Sequence, residues 1–127
     1  MIELPFIDLS GDRTAPALSD AGAEFLRLMA DPTRRRIFLH LMAGEVCNCE
    51  LVGQLGLAQN LISHHLRQLR QAGLIRARRD DRDQRWVYYT VDRDVLAERH
   101  REVSALFDPA RLGQRDPDCG PAARGDV

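Results

Sequence analysis

Gly44 to Asp92 reads GEVCNCELVGQLGLAQNLISHHLRQLRQAGLIRARRDDRDQRWVYYTVD, and the centre of this stretch decides the fold. Ile62, Leu66 and Leu69 recur at helical spacing, which predicts a helix from about Gln59 to Ala72, stopped by Gly73. The opposite face of that helix carries Gln59, Asn60, Ser63, His64, Arg67 and Arg70, side chains able to reach bases or phosphates. A short helix, roughly Cys49 to Leu55 and closed at Gly56, comes before it. After it, IRARR and RWVYYTV read as two strands around the polar turn DDRDQ. A short helix, a second helix with a polar outer face and a basic hairpin describe a helix-turn-helix that ends in a β-hairpin.

Working outward, Ser19 or Asp20 is placed to cap a helix carrying Phe25, Leu28 and Met29. Asp31-Pro32 stops that helix and starts another, with Asp as N-cap and Pro in the first turn, running to about Met42 with Ile37, Phe38 and Leu41 inward. A last helix, about Arg93 to Phe107, aligns Leu96, Val103 and Phe107 on one stripe. The expected fold is mainly α, five helices and one β-hairpin (α+β), in a single domain over residues 19–108. Residues 1–18, with Pro5, Gly11 and Pro16, read as a loose N-terminal arm; residues 109–127 read as a flexible tail rich in Gly, Pro and charge that carries Cys119. No apolar run reaches the length of a membrane span and the N-terminus lacks a signal-peptide layout, so the expectation is a cytoplasmic protein with no membrane partner.

The formal net charge is −1, yet the charge is segregated. Gln59 to Tyr89 holds seven arginines against three acids, a net of +4, and the remainder carries −5. A local basic patch is what phosphate contact requires. All eighteen Lys-plus-Arg positions are arginine, the residue suited to phosphate recognition.

Three cysteines without an export signal fit reduced thiols better than a disulfide framework. Cys47 and Cys49, a Cys-x-Cys pair of soft ligands directly ahead of a DNA-reading element, point to a sensor. An enzyme is disfavoured: the chain has no Cys-x-x-Cys, no βαβ pattern, and no Ser/His/Asp or Gly-rich phosphate constellation.

DPTRRRIFLHL, CNCELVGQLGL, ISHHLRQLRQAGLI and RWVYYTV together resemble the ArsR/SmtB family of metal-sensing winged-helix repressors, over about residues 20–107. The Cys-x-Cys placement resembles the thiolate-sensing, arsenic-responsive branch. The resemblance implies a winged helix-turn-helix homodimer that sits on operator DNA and leaves it when a toxic metal or metalloid binds. Two positions depart from the family pattern. Arg82-Asp83 stand where the wing usually has Gly, and Val52 stands where many arsenic sensors carry a third helical cysteine.

Side chains at i and i+2 of a helix diverge by roughly 200°. Cys47 and Cys49 on one intact helix therefore could not grip one ion, and ligation is expected to distort the helix start and weaken DNA binding. A position near a helix N-terminus favours the thiolate. Two sulfurs are too few for As(III), which takes three in a pyramid, so Cys119 is the expected third ligand, from the same subunit or across the dimer. Three thiolates point to As(III), with Sb(III) following by similar chemistry. Cd(II) and Pb(II) are the rivals, Cd(II) calling on a further group such as Glu50, and a thiol redox sensor with Cys119 as resolving partner is a further alternative. The other metal site of the family, on the last helix, has its first half matched by Asp92 and Asp94, but Ala105 and Asp108 fall at the second half, so that site is not expected here. His100 reads as an interface histidine and His40 as structural.

For DNA, Gln59, Asn60, Ser63 and His64 are the expected base-reading residues, on the part of the helix that enters a major groove. Arg67 and the hairpin residues Arg78, Arg79, Arg82 and Arg85 are expected on phosphates, which position without specifying. His65, one position round from His64, is expected to face the body of the domain, and Trp86, Tyr88 and Tyr89 to pack the hairpin. Two copies paired through the first and last helices, by Phe25, Met29, Leu96, Val103, Leu106 and Phe107, would set two reading helices on an inverted repeat of double-stranded operator DNA.

Overall fold

The computed structural model describes residues 16–121. Its order is α1 (Asp20–Ala30), α2 (Pro32–Leu41), β1 (Val46–Cys47), α3 (Asn48–Leu55), α4 (Gln59–Gln71), β2 (Ile75–Arg79), β3 (Val87–Val91), α5 (Arg93–Leu106) and a 3-10 turn, Pro109–Arg111. The helix boundaries follow local chemistry. Ser19 caps α1 by accepting the Gly22 N–H at 2.9 Å, and Asp31 caps α2 by accepting that of Arg34 at 2.9 Å. Asp92 caps α5 through the Asp94 and Val95 N–H groups. After α4 the chain reverses at Gly73, whose φ of +76° lies where a side chain would be strained.

One core unites the helices with the sheet. Leu28 of α1, Ile37 and Leu41 of α2, Leu51 of α3, and Ile62, Leu66 and Leu69 of α4 close around Leu74 and Ile75 at the start of the hairpin. α3 and α4, packed through these leucines and Ile62, form the helix-turn-helix; β2 and β3 form the wing. The architecture is a winged helix-turn-helix, mainly α. Among the described residues no helix is long and apolar enough to cross a membrane.

The sheet differs from the expected hairpin. It has three antiparallel strands in the order β1-β3-β2, because the two residues of β1 pair with β3, Val46 opposite Tyr89 and Cys47 opposite Tyr88. Arg78 of β2 lies opposite Tyr88 on the other side. The third helix also begins earlier than expected, at Asn48, with Cys47 as its N-cap. The proposed arm lies almost wholly outside the described residues, as do residues 122–127 of the tail. From Ala110 to Gly120 the described tail is exposed.

Candidate functional site

Cys47 ends β1 in an extended conformation (φ −90°, ψ 157°) and Cys49 is the second residue of α3. The helical divergence of i and i+2 therefore does not apply. Their Cα atoms are 5.4 Å apart and their sulfurs are joined in a disulfide, which corrects the expectation of reduced thiols: the extended Cys47 brings its sulfur round to that of Cys49. The convergence comes from the irregular helix start: one thiol precedes the helix, and both reach the same point while α3 stays intact. The pair is asymmetric, Cys47 buried and Cys49 exposed, so an incoming thiophile meets Cys49 first. Glu50 turns its carboxylate back toward the Cys47 N–H, at 3.4 Å, which fixes it at the mouth of the pair.

Cys119, exposed on the tail, is not brought to the Cys47–Cys49 pair within one chain; among the described residues no three His, Cys, Asp or Glu side chains converge in metal-binding geometry. Asp92 is committed to capping α5 and to an ion pair with Arg76 (2.8 Å), which accounts for its presence without a metal role.

On α4 the expected division of faces is present. Ile62, His65, Leu66 and Leu69 are buried, whereas Gln59, Asn60, His64, Arg67 and Arg70 are exposed and Ser63 is half-buried. Ala58, the N-cap of α4, offers no capping side chain; the Leu61 N–H donates instead to Asn60 Oδ1 at 2.9 Å and to the Ala58 carbonyl at 3.1 Å. His65 faces inward and accepts a hydrogen bond from Arg34 Nε at its Nδ1 (3.3 Å), with both residues buried. Burial above all, then the nearby Arg34 and His64, lowers its pKa from 6.5 against the opposing pull of Asp31.

The wing arginines are not equivalent. Arg78 pairs with Glu45 through two hydrogen bonds (Nη2–Oε1 2.7 Å, Nε–Oε2 3.1 Å) and lies 4.6 Å from the centre of the Tyr88 ring. Arg85 is paired with Asp83 (2.8 Å) and Arg79 donates to the Gln84 carbonyl (2.8 Å). Among the described arginines of α4 and the wing, Arg67, Arg70 and Arg82 form neither an ion pair nor a side-chain hydrogen bond, and of that set they are the cations left uncommitted. Glu45 and Arg34 carry structural weight that residue spacing did not disclose, because each meets its partner only across the folded domain.

The expected interface residues split by burial. Phe25, Met29 and Leu96 are half-buried against the core, Val103 and Leu106 are half-buried on α5, and Phe107 is 65% exposed.

Residues 31–77 match the model of the bacterial regulatory protein, arsR family. The chain is 35% identical to a transcriptional repressor SmtB homolog of Synechocystis over 65% of its own length and 60% of that protein. It is 44% identical to the arsenic resistance transcriptional regulator ArsR1 of Pseudomonas putida over 54% of its length and 52% of that protein. The chain thus spans less than two thirds of either of these relatives. A solved structure described as a possible transcriptional regulator for arsenical resistance is 35% identical, covers 72% of this chain and 88% of its own, and superposes with a TM-score of 0.56. The matched segment holds the thiol pair, the helix-turn-helix and the first wing strand, and the chain belongs to the arsR family of bacterial regulatory proteins, winged-helix transcriptional regulators and not enzymes.

Proposed function

We propose that the protein is a metalloid-responsive transcriptional repressor. As a homodimer it binds double-stranded operator DNA carrying an inverted repeat, and it lets go when As(III), or Sb(III) by the same chemistry, binds Cys47 and Cys49. The observation that carries this reading is the convergence of the two sulfurs at the N-cap of α3, the helix packed against α4. The inducer-binding form is the reduced pair, reached when a cellular dithiol takes up the disulfide and is itself oxidised; each As–S bond then replaces an As–OH bond and a thiol proton leaves with the oxygen as water, so the two cysteines displace two hydroxides of arsenous acid. Cys119, supplied by the tail of the same or the partner subunit, displaces the third and completes the pyramid. Gln59, Asn60, Ser63 and His64 read base edges, while Arg67, Arg79, Arg82 and Arg85 hold phosphates.

A second reading draws on the same pair. The disulfide of the pair is the oxidised form of such a switch: two thiols yield two protons and two electrons to a peroxide, which is reduced to water, and no resolving Cys119 is needed.

The test is operator binding by fluorescence anisotropy, titrated with As(III), Sb(III), Cd(II), Pb(II) and hydrogen peroxide, on wild type and on Cys47→Ser, Cys49→Ser and Cys119→Ser. Release by As(III) that is abolished in the first two variants and weakened in the third supports the sensor. Release by Cd(II) or Pb(II) alone keeps the repressor and replaces its inducer. Release by peroxide alone makes the redox reading the function.

A further inference from the structure

The short strand that carries Cys47 is built into the wing. Cys47, Tyr88 and Arg78 are direct partners across β1, β3 and β2, so they form one row on one face of the sheet. Glu45, two residues before Cys47, returns to that face by strand alternation. The Arg78 guanidinium reaches from β2 across the Tyr88 ring to the Glu45 carboxylate, closing the row from above. One charge pair and one aromatic ring thus strap the inducer strand to the wing. The Glu45 carboxylate, first, raises the Arg78 pKa from its ordinary value.

We propose that Glu45, Arg78 and Tyr88 are the coupling element of this sensor: they transmit occupancy of the thiol pair to the wing, so that the wing is the part of the DNA-binding surface displaced when the inducer binds. The inference rests on the metalloid reading above and adds the route by which binding becomes release.

The mechanical reason lies in what holds each thiol. An inducer held by both reduced thiols loads whichever backbone is less firmly anchored. Cys49 stands on α3, which is anchored by the fully buried Leu51 and by Leu55. Cys47 stands on a strand of two residues that follows Gly44, whose φ of +138° makes it a natural pivot. β1 therefore moves, and with two ladder pairs plus the Glu45–Arg78 strap it takes β3 and the wing arginines with it. Arg78 acts here as a positioning residue, its guanidinium committed within the domain, and not as the phosphate contact its basic neighbourhood suggested.

The experiment compares wild type, Glu45→Gln and the charge-swapped double variant Glu45→Arg/Arg78→Glu. Arsenite binding is followed by the near-ultraviolet thiolate-to-arsenic absorbance, and operator affinity by anisotropy with and without arsenite. Wild type is expected to lose operator affinity by about tenfold or more on arsenite binding. Glu45→Gln should bind arsenite normally and, without arsenite, bind DNA within about threefold of wild type, but its arsenite-induced loss should shrink by about threefold or more; the double variant should recover the loss. A Glu45→Gln protein released as fully as wild type, or a double variant that recovers nothing, overturns the coupling element and leaves the metalloid reading standing. A wild type that ignores arsenite takes both down. Independently of how the variants fold, hydrogen exchange on wild type should show the β1 and β3 amides opening on arsenite binding. Opening confined to α4 overturns the proposal.

Discussion

The Asp31 carboxylate joins two tasks in one side chain. It caps α2 and lies beside the Arg34–His65 pair, and the Arg34 N–H foremost, then the His65 and Arg34 charges, holds its pKa below 3.8. Asp31→Ala should lower stability by about 1 kcal/mol, read as a thermal midpoint several degrees lower. The sign follows from linkage. A carboxyl whose folded pKa is depressed stabilises above its unfolded value, and that contribution is lost as pH falls through the folded one. The difference between wild type and Asp31→Ala should therefore narrow from about pH 5 downward. His65 responds at higher pH. Its folded pKa lies below 6.5, so below that value the unfolded chain binds the extra proton and stability falls. His65 is held neutral with Nδ1 as acceptor, because Arg34 can only donate. His65→Phe keeps an aromatic body but leaves the Arg34 Nε without its acceptor. It should cost about 1–3 kcal/mol near pH 7 and abolish the stability slope just below pH 6.5 in denaturation series; an unchanged slope would show that another group titrates there.

At the scale of the element, the wing turn closes without a glycine. Asp80 accepts the N–H groups of Arg82 (3.3 Å) and Asp83 (3.1 Å) on one carboxylate oxygen, and Asp80 N–H and Trp86 N–H close the loop onto the Trp86 and Asp83 carbonyls (2.9 and 3.0 Å). Among the described residues no non-glycine has a positive φ, so in this turn a side-chain acceptor does the work of glycine's freedom. Asp80→Ala should loosen the turn that presents Arg82 and lower operator affinity by about three- to tenfold with little change in thermal midpoint; a large midpoint shift with unchanged affinity would make the turn structural only. The elements that residue spacing disclosed were those specified locally. Capped helices with a 3.6-residue apolar repeat, such as α4 with Ile62, Leu66 and Leu69, carry their own signal, and so does the inward turn of His65. β1 carries none: two residues cannot show alternation, and Tyr88 and Tyr89, which define it as a strand, lie about forty positions on. The same distance hides the Glu45–Arg78 pair, and it made Cys47 and Cys49 look like neighbours on one helix when one of them belongs to the sheet.

Across the whole molecule, α1 and α5 form one slab. Ser19 donates its N–H to Glu102 (2.9 Å), and Arg99, buried, reaches Ser19, Glu98 and Glu102. A Cβ at Gly22 would stand 2.7 Å from Leu18 and 3.0 Å from the Glu102 carboxylate, so the two helices meet without room between them. Past this contact α5 runs on to Phe107, a large apolar side chain left in water, with Val103 and Leu106 half-covered beside it. In the proposed homodimer that end of α5 meets its symmetry mate, and the rigid slab fixes the separation of the two α4 helices. Phe107→Asp places a charge in the same surface and should drive the protein toward monomer in sedimentation velocity, with the fold intact by circular dichroism. The effect on DNA should then be larger than any single contact could explain. A monomer holds one half-site and about half the phosphates, so the slope of log affinity against log salt should fall to about half its wild-type value as the affinity collapses. Removing one phosphate contact, as in Arg67→Ala, should lower that slope by only about one unit per arginine lost. A Phe107→Asp protein that remains dimeric and keeps the full slope would place the dimer contact elsewhere on the slab, and Phe25 and Met29 on α1 would be the next residues to change.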